Sequence, residues 1–419
     1  MEILKYTRLF GQNRKKAIMK ITSVDVYMQD YNLGGFVTIK VNTDEGISGF
    51  GEAGLSYGNC SNAAFGQCKD FAKLIIGMDP FNTEEIWNNL HRHTFWGMGG
   101  GVVVTSAMAA IDTACWDIKG KKLGVPVYKL LGGKTNKKLR AYASQLQFGW
   151  RKIIEEKDAL TLLYDPQDYF DAVKDALSEG YTAVKIDPVF APTDKKEMQE
   201  VFSTQGNQIR GCYRNMDLQR SVERIAAARE AGGDDMDIII EIHSLLDANT
   251  ASELGKALEP YHIMYYEEPT SPENPDLFKF IQKNCTLPLA TGERVYTRWG
   301  FRPFFENRSL SVIQPDLCNT GGITETKKIC DMAHVYDMGV QIHVCGGPIA
   351  TAAALQVEAA IPNFVIHEEH NANLLSIFKK FGKYYYAPKD GYYEIPELPG
   401  IGQEMSDWAM EHSVHVEVK

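Results

Sequence analysis

Three short apolar runs in the middle of the chain each end in an acidic residue, and the interval between the acids is constant. Ile238, Ile239 and Ile240 lead to Glu241; Ile263, Met264, Tyr265 and Tyr266 lead to Glu267; Leu287 to Gly292 lead to Glu293. The separation is 26 residues from Glu241 to Glu267 and 26 again from Glu267 to Glu293. A β-strand, a returning helix and two short loops occupy about that length, so the acids are expected at equivalent strand ends of successive βα units. A parallel barrel gathers equivalent strand ends at one face, where chemistry is built. Three carboxylates placed there repel one another unless a cation sits among them, and hard oxygen ligands at that density suit Mg2+.

The same rhythm runs through residues 136–371. Candidate strands lie at 140–147, 182–187, 237–243, 263–268, 288–293, 311–316, 339–345 and 364–369, with helical patterns such as 218–231, 324–336 and 348–360 between them. Strand and helix alternating in this way predict an α/β fold, a βα barrel of the TIM type. A polar and aromatic gap at 189–216 reads as an insertion over the active face. Ahead of the barrel, residues 23–29, 37–41 and 47–52 alternate apolar and polar side chains around a turn at 42–46, which predicts an antiparallel meander. Helical patterns follow, the best at 105–122, so residues 19–135 read as a separate α+β domain. Residues 1–18 read as a disordered basic extension, and 372–419 as a segment that returns to pack on the N-terminal domain.

A formal net charge of −10 without a long basic run argues against nucleic-acid and membrane-surface partners. No run is expected to approach transmembrane length. The eight cysteines include no Cys-x-x-Cys pair, the pattern of reduced thiols in a cytoplasmic protein.

The remaining strand ends carry a matching set of polar residues. Lys185, Ile186 and Asp187 end the second strand; Gln314, Pro315 and Asp316 end the sixth; His343 lies in the seventh and Glu368 ends the eighth. With residues 116–121 (Trp-Asp-Ile-Lys-Gly-Lys) and 130–133 (Leu-Leu-Gly-Gly) before the barrel, this set closely resembles the enolase superfamily, mandelate racemase subgroup, from Met19 onward. The resemblance implies that the N-terminal domain caps the barrel mouth. It implies one Mg2+ per subunit held by Glu241, Glu267 and Glu293, and removal of the proton next to a substrate carboxylate to give an enediolate. In that scheme His343 is the base, Asp316 its hydrogen-bonding partner, and Glu368 a substrate-carboxylate contact. Lys185 and Asp187 are placed as further substrate-binding groups, Lys185 alternatively as a charge partner for the ligand carboxylates at the barrel mouth.

Two departures set the expected subtype. Racemase-like members carry Lys-x-Lys on the second strand, whereas the second position here is Asp187. The third strand instead offers His243, two residues beyond Glu241 and so on the same strand face. This resembles the acid-sugar dehydratases of the subgroup, the galactonate and gluconate dehydratases among them, with His243 as acid at the departing 3-hydroxyl, or with the roles of His243 and His343 exchanged. Glu241 stands where many members have Asp. The expected ligand is a small acid sugar, and the expected assembly a homo-oligomer. The alternatives are an epimerase or cycloisomerase using His343 with Lys185, and a catalytically silent binding protein. Loops 30–35 and 55–59, with 189–216 and 95–101, are expected to read the distal end of the substrate, while Trp96, Tyr296 and Trp299 fit either shaping of its pocket or core packing.

Overall fold

The computed structural model describes residues 18–29, 36–54, 60–150, 162–190, 213–370, 373 and 376–419. The extension at 1–17, the loops at 30–35 and 55–59 and most of the 189–216 insertion lie outside the described residues.

Strands β1 (Ile21–Met28), β2 (Val37–Thr43) and β3 (Ser48–Ala53) form the expected antiparallel meander. The last strand of the chain, β13 (Val414–Val418), adds itself antiparallel to β1, giving the order β13-β1-β2-β3. On this sheet lies the helix Gly101–Leu123. Its approach to β3 is set by two glycines. A Cβ at Gly49 would fall 2.1 Å from the carbonyl oxygen of Ala114, and one at Gly51 1.9 Å from that of Ala110. The alternation of small residues in β3 is therefore a packing requirement. At 23 residues this helix is long and apolar enough to cross a membrane, which corrects the expectation that no run reaches that length. It is a core helix instead: 78% of its apolar window is buried. Asp117, from the 116–121 motif, accepts the N–H groups of Phe50 and Ile401, tying sheet, helix and C-terminal segment together.

Eight parallel strands follow: β4 (Leu139–Ser144), β5 (Ala183–Ile186), β6 (Asp237–Glu241), β7 (Ile263–Glu267), β8 (Leu289–Thr291), β9 (Val312–Ile313), β10 (Gly339–Val340) and β11 (His367–His370). They pair in the order β10-β9-β8-β7-β6-β5-β4-β11, and a parallel bridge between Val340 and Phe364, ahead of β11, closes the ring. A short strand β12 (Tyr392–Tyr393) pairs antiparallel with β4 from outside. Helices between the strands pack on the outer wall in one large apolar core. Inside the barrel, Tyr142, Ala183, Ile239, Tyr265, Ala290, Val312 and Ile366 form a separate plug, one residue from each of seven strand segments. With the floor filled, the polar residues at the next inward positions face the open end.

Candidate active site

Side chains alternate across a strand with a period of two, so the residues two and four beyond the plug form the next inward layers. Counting on from Ala183, Ile239, Tyr265, Val312 and Ile366 reaches Lys185 and Asp187, Glu241, Glu267, Gln314 and Asp316, and Glu368. The barrel gathers all of them at its C-terminal mouth.

Glu241 and Glu267 are direct register partners across β6 and β7. Glu267 in turn pairs with Ala290, so Glu293 lies three residues beyond the matching point of β8. The equal sequence intervals thus conceal a stagger: the third acid sits past its strand end and is less buried than the other two. Ligand oxygens of the three nonetheless lie within 4.8 Å of one another. Oε2 of Glu267 is buried without a hydrogen-bond partner among the described residues. Burial, and after it the charge of Glu241, hold the Glu267 carboxyl well above the usual range. Converging hard donors, one oxygen unsatisfied and one acid resisting ionisation, fit a divalent cation such as Mg2+.

The stagger between β5 and β6 sets Lys185 opposite Ile239, the residue two before Glu241. The Lys185 ammonium is 2.9 Å from Glu267, 3.2 Å from Glu241 and 2.9 Å from Glu368. An ammonium has three N–H donors and no acceptor, and here three carboxylates take them. Burial disfavours the charge, but Glu267, Glu368 and Glu241 outweigh it and raise the amine well above its ordinary value.

Two histidines stand beside this cluster, each held by an aspartate through Nδ1. His343 Nδ1 is 2.7 Å from Asp316 Oδ2, and a parallel bridge between these two residues prolongs β9 and β10 past their regular ladder. Its Nε2 is 3.0 Å from Glu293 and 4.0 Å from Glu368. His243 Nδ1 is 2.6 Å from Asp187 Oδ2. A carboxylate beside Nδ1 fixes the proton there and leaves Nε2 as the working nitrogen. For both rings burial opposes the charge and is outweighed. Glu293 and then Asp316 raise His343 well above its ordinary value, while Glu241 and then Asp187 raise His243.

β6 was expected to run through His243, but it ends at Glu241. His243 and Ser244 adopt left-handed backbone conformations, φ +50° and +60°, which no strand continues. The turn folds the His243 N–H back onto Glu241 Oε1 at 2.8 Å. Glu268, φ +43°, makes the corresponding turn after β7 and accepts from Ser244 Oγ at 3.0 Å. Non-glycine residues held at positive φ at two neighbouring strand ends are a usual mark of a functional site.

Glu368 has both oxygens engaged by the protein. Oε1 accepts from Ser144 at 2.7 Å and pairs with Lys185, and Oε2 accepts the N–H of Val344 at 3.0 Å. Asp187 likewise is taken up by His243 and by the N–H groups of Val189 and Phe190, 2.8 and 2.7 Å away. In this structure these contacts join Glu368, Lys185 and Asp187 to other residues of the site. Arg294 pairs with both Glu268 and Glu293 and so braces the outermost carboxylate. Sequence reasoning passed over the Asp187–His243 pair, though the two-residue step from Lys185 to Asp187 was a usable signal. Ser144 and Arg294 carried none. To one side, Tyr296, Trp299, Met98 and His91 line a cavity of about 510 Å3, while Phe95 and Trp96 project into solvent.

A βα barrel with three strand-end carboxylates and a His–Asp pair beneath an α+β capping domain defines a class, and the comparisons agree with it. Residues 168–409 match the family described as enolase C-terminal domain-like, and residues 15–132 match the mandelate racemase / muconate lactonizing enzyme N-terminal domain. The chain belongs to the enolase superfamily, mandelate racemase subgroup. It is 32% identical over 397 residues to a D-galactonate dehydratase of Ralstonia pickettii (strain 12J), covering 93% of each chain. It is 32% identical over 394 residues to a D-xylonate dehydratase of Haloferax volcanii, covering 94% of this chain and 88% of the relative. Among solved structures, a member of the enolase superfamily from Salmonella Typhimurium shares 51% identity with a TM-score of 0.88, over 96% of this chain and all of that one. With such relatives the chain sits among the hydro-lyases of the superfamily.

Proposed function

We propose that the protein is a dehydratase of an acid sugar, an aldonate, that works with one divalent cation, Mg2+, per chain. The observation that carries the reading is the pair of histidines, each mounted on its own aspartate from a neighbouring strand and flanking one carboxylate cluster. Removal of water across C2 and C3 needs a base for the C2 proton and an acid for the departing 3-hydroxyl. His343 Nε2 accepts the C2 proton as the C–H pair moves into the C2–C1 system. His243 Nε2 then donates a proton to the 3-hydroxyl as the C3–O bond breaks and water leaves. The resulting enol tautomerises to a 2-keto-3-deoxy acid. A bound cation held by Glu241, Glu267 and Glu293 would supply positive charge for the developing carboxylate dianion and offset the Glu293 charge that raises His343.

The names of the relatives, D-galactonate and D-xylonate dehydratase, support an aldonate as substrate. The epimerase alternative needs Lys185 free to exchange a proton with the α-carbon opposite His343, and its ammonium is instead shared among three carboxylates, which favours the dehydratase reading. The test is a library of aldonates and related acid sugars incubated with Mg2+, with 2-keto products trapped as semicarbazones. The reading predicts turnover of at least one aldonate, D-galactonate and D-xylonate being the first to try. No product anywhere in the library would overturn it.

A further inference from the structure

Strand β3 of the capping domain ends against the loops that carry the His343–Asp316 pair. Glu52 is 1% exposed, and its carboxylate accepts the N–H of Gly347 at 2.6 Å and that of Ala350 at 3.3 Å. These groups open the helix Pro348–Ala360, which follows His343 after four residues. Amides at a helix start lack intrahelical partners, and a carboxylate satisfies them with charge assistance. The loop is pressed directly onto this group. A Cβ at Gly346 would fall 2.7 Å from Glu52 Oε1, and one at Gly347 2.8 Å from Oε2. Gly346 and Gly347 have no side chains of their own to brace the segment. Two residues further along, the N–H of Gly54 donates to the carbonyl of Cys318 at 3.1 Å, just past Asp316.

A second buried carboxylate makes a matched contact elsewhere on the same domain boundary. Asp112, on the helix Gly101–Leu123, accepts the N–H and the hydroxyl of Thr324 at 2.8 and 2.6 Å. It too meets the start of a barrel helix, Gly322–Val335, but eight residues beyond Asp316.

We propose that Glu52 is a positioning residue for the reaction: from the capping domain it sets the backbone between His343 and the helix Pro348–Ala360, and thereby the place of His343 Nε2. The capping domain is then part of the mounting of the base and not a cover alone. The proposal rests on the reading of His343 as that base.

The test compares E52Q with D112N in the full-length, Mg2+-loaded protein. The amide of E52Q keeps one acceptor oxygen but loses the charge that holds two backbone N–H groups. A small shift of the base is costly, so kcat of E52Q is expected to fall at least ~10-fold with KM within ~2-fold of wild type. D112N, with the same kind of domain contact but none to the His343 loop, is expected to keep kcat within ~2-fold. A readout without turnover accompanies this: the rate at which diethyl pyrocarbonate modifies His343, followed by peptide mass, changes in E52Q and not in D112N. Wild-type kcat in E52Q, equal losses in both variants, or a loss confined to KM would overturn the proposal. If wild type turns over no acid sugar, the dehydratase reading falls. The modification rates then decide alone, and an unchanged His343 rate in E52Q overturns the positioning role.

Discussion

Asp187 accepts a hydrogen bond from Nδ1 of His243 at 2.6 Å. It repeats, across the intervening β7 and β8, the 2.7 Å contact of Asp316 with His343. A neutral imidazole beside a carboxylate keeps its proton on Nδ1, so each aspartate fixes a tautomer as well as an orientation. D187N removes that control while retaining an oxygen for Val189 and Phe190. Its kcat should fall by ~100-fold or more, as happens when an orienting aspartate becomes an amide, with KM little changed. Steady-state kinetics on the best aldonate check this, and a D187N enzyme within ~3-fold of wild type would remove Asp187 from the account.

Metal binding should be linked to proton release. Burial and Glu241 hold the Glu267 carboxyl well above the usual range, which favours a proton there that a bound cation would displace. Affinity for Mg2+ therefore rises with pH, approaching ~10-fold per unit for one proton. Calorimetric titration at pH 6, 7 and 8, in buffers of different ionisation enthalpy, measures both affinity and proton count. A pH-independent affinity without proton release would contradict the Glu267 assignment.

Lys185 is the cation that the folded chain supplies to its own carboxylates. K185M leaves Glu241, Glu267 and Glu368 facing one another without it, a loss of about 3–5 kcal/mol for a broken buried ion network. Thermal melts should show K185M lowered in chelator and recovered more strongly by Mg2+ than wild type. Equal melting temperatures in chelator would show that Lys185 is not the counter-charge.

Glu52 also predicts a pH dependence of stability. Burial pushes its carboxyl up to about 7 from 4.5, against the hydrogen bonds of Gly347 and Ala350. Between those values the folded state binds more protons than the unfolded chain, so this contribution is full below the unfolded pKa and is lost as pH rises through about 7. Its size is on the order of 3 kcal/mol. The amide that replaces the carboxyl in E52Q does not titrate, so this variant should gain stability relative to wild type on going from pH 5 to pH 8.5, as read from urea midpoints. A difference that is flat with pH would place the Glu52 pKa near its ordinary value.

Much of the site was readable because a barrel converts sequence period into geometry. Glu241, Glu267, Asp316 and Glu368 each lie at a two-residue step from an apolar inward residue, or two such steps, so their convergence needs only the strand pattern. Glu293 shows the limit: its 26-residue interval matches, yet it lies three residues beyond its register partner because the strands are staggered. His243 shows another. Its strand stops at Glu241, and positive φ values bring the ring to Asp187, which a strand pattern does not encode. Glu52 was hidden for a third reason: its partner Gly347 is 295 residues away in another domain, joined only by tertiary packing.

The central claim is the division of labour between the two histidines, and hydrogen exchange at C2 tests it most directly. An active aldonate is incubated in D2O with Mg2+ and wild type, H243N or H343N, and both C2 deuteration and 2-keto product are followed by NMR. The account predicts that H243N still exchanges the C2 proton but releases almost no 2-keto-3-deoxy acid, whereas H343N does neither. Exchange that survives in H343N, or dehydration at the wild-type rate in H243N, would contradict it.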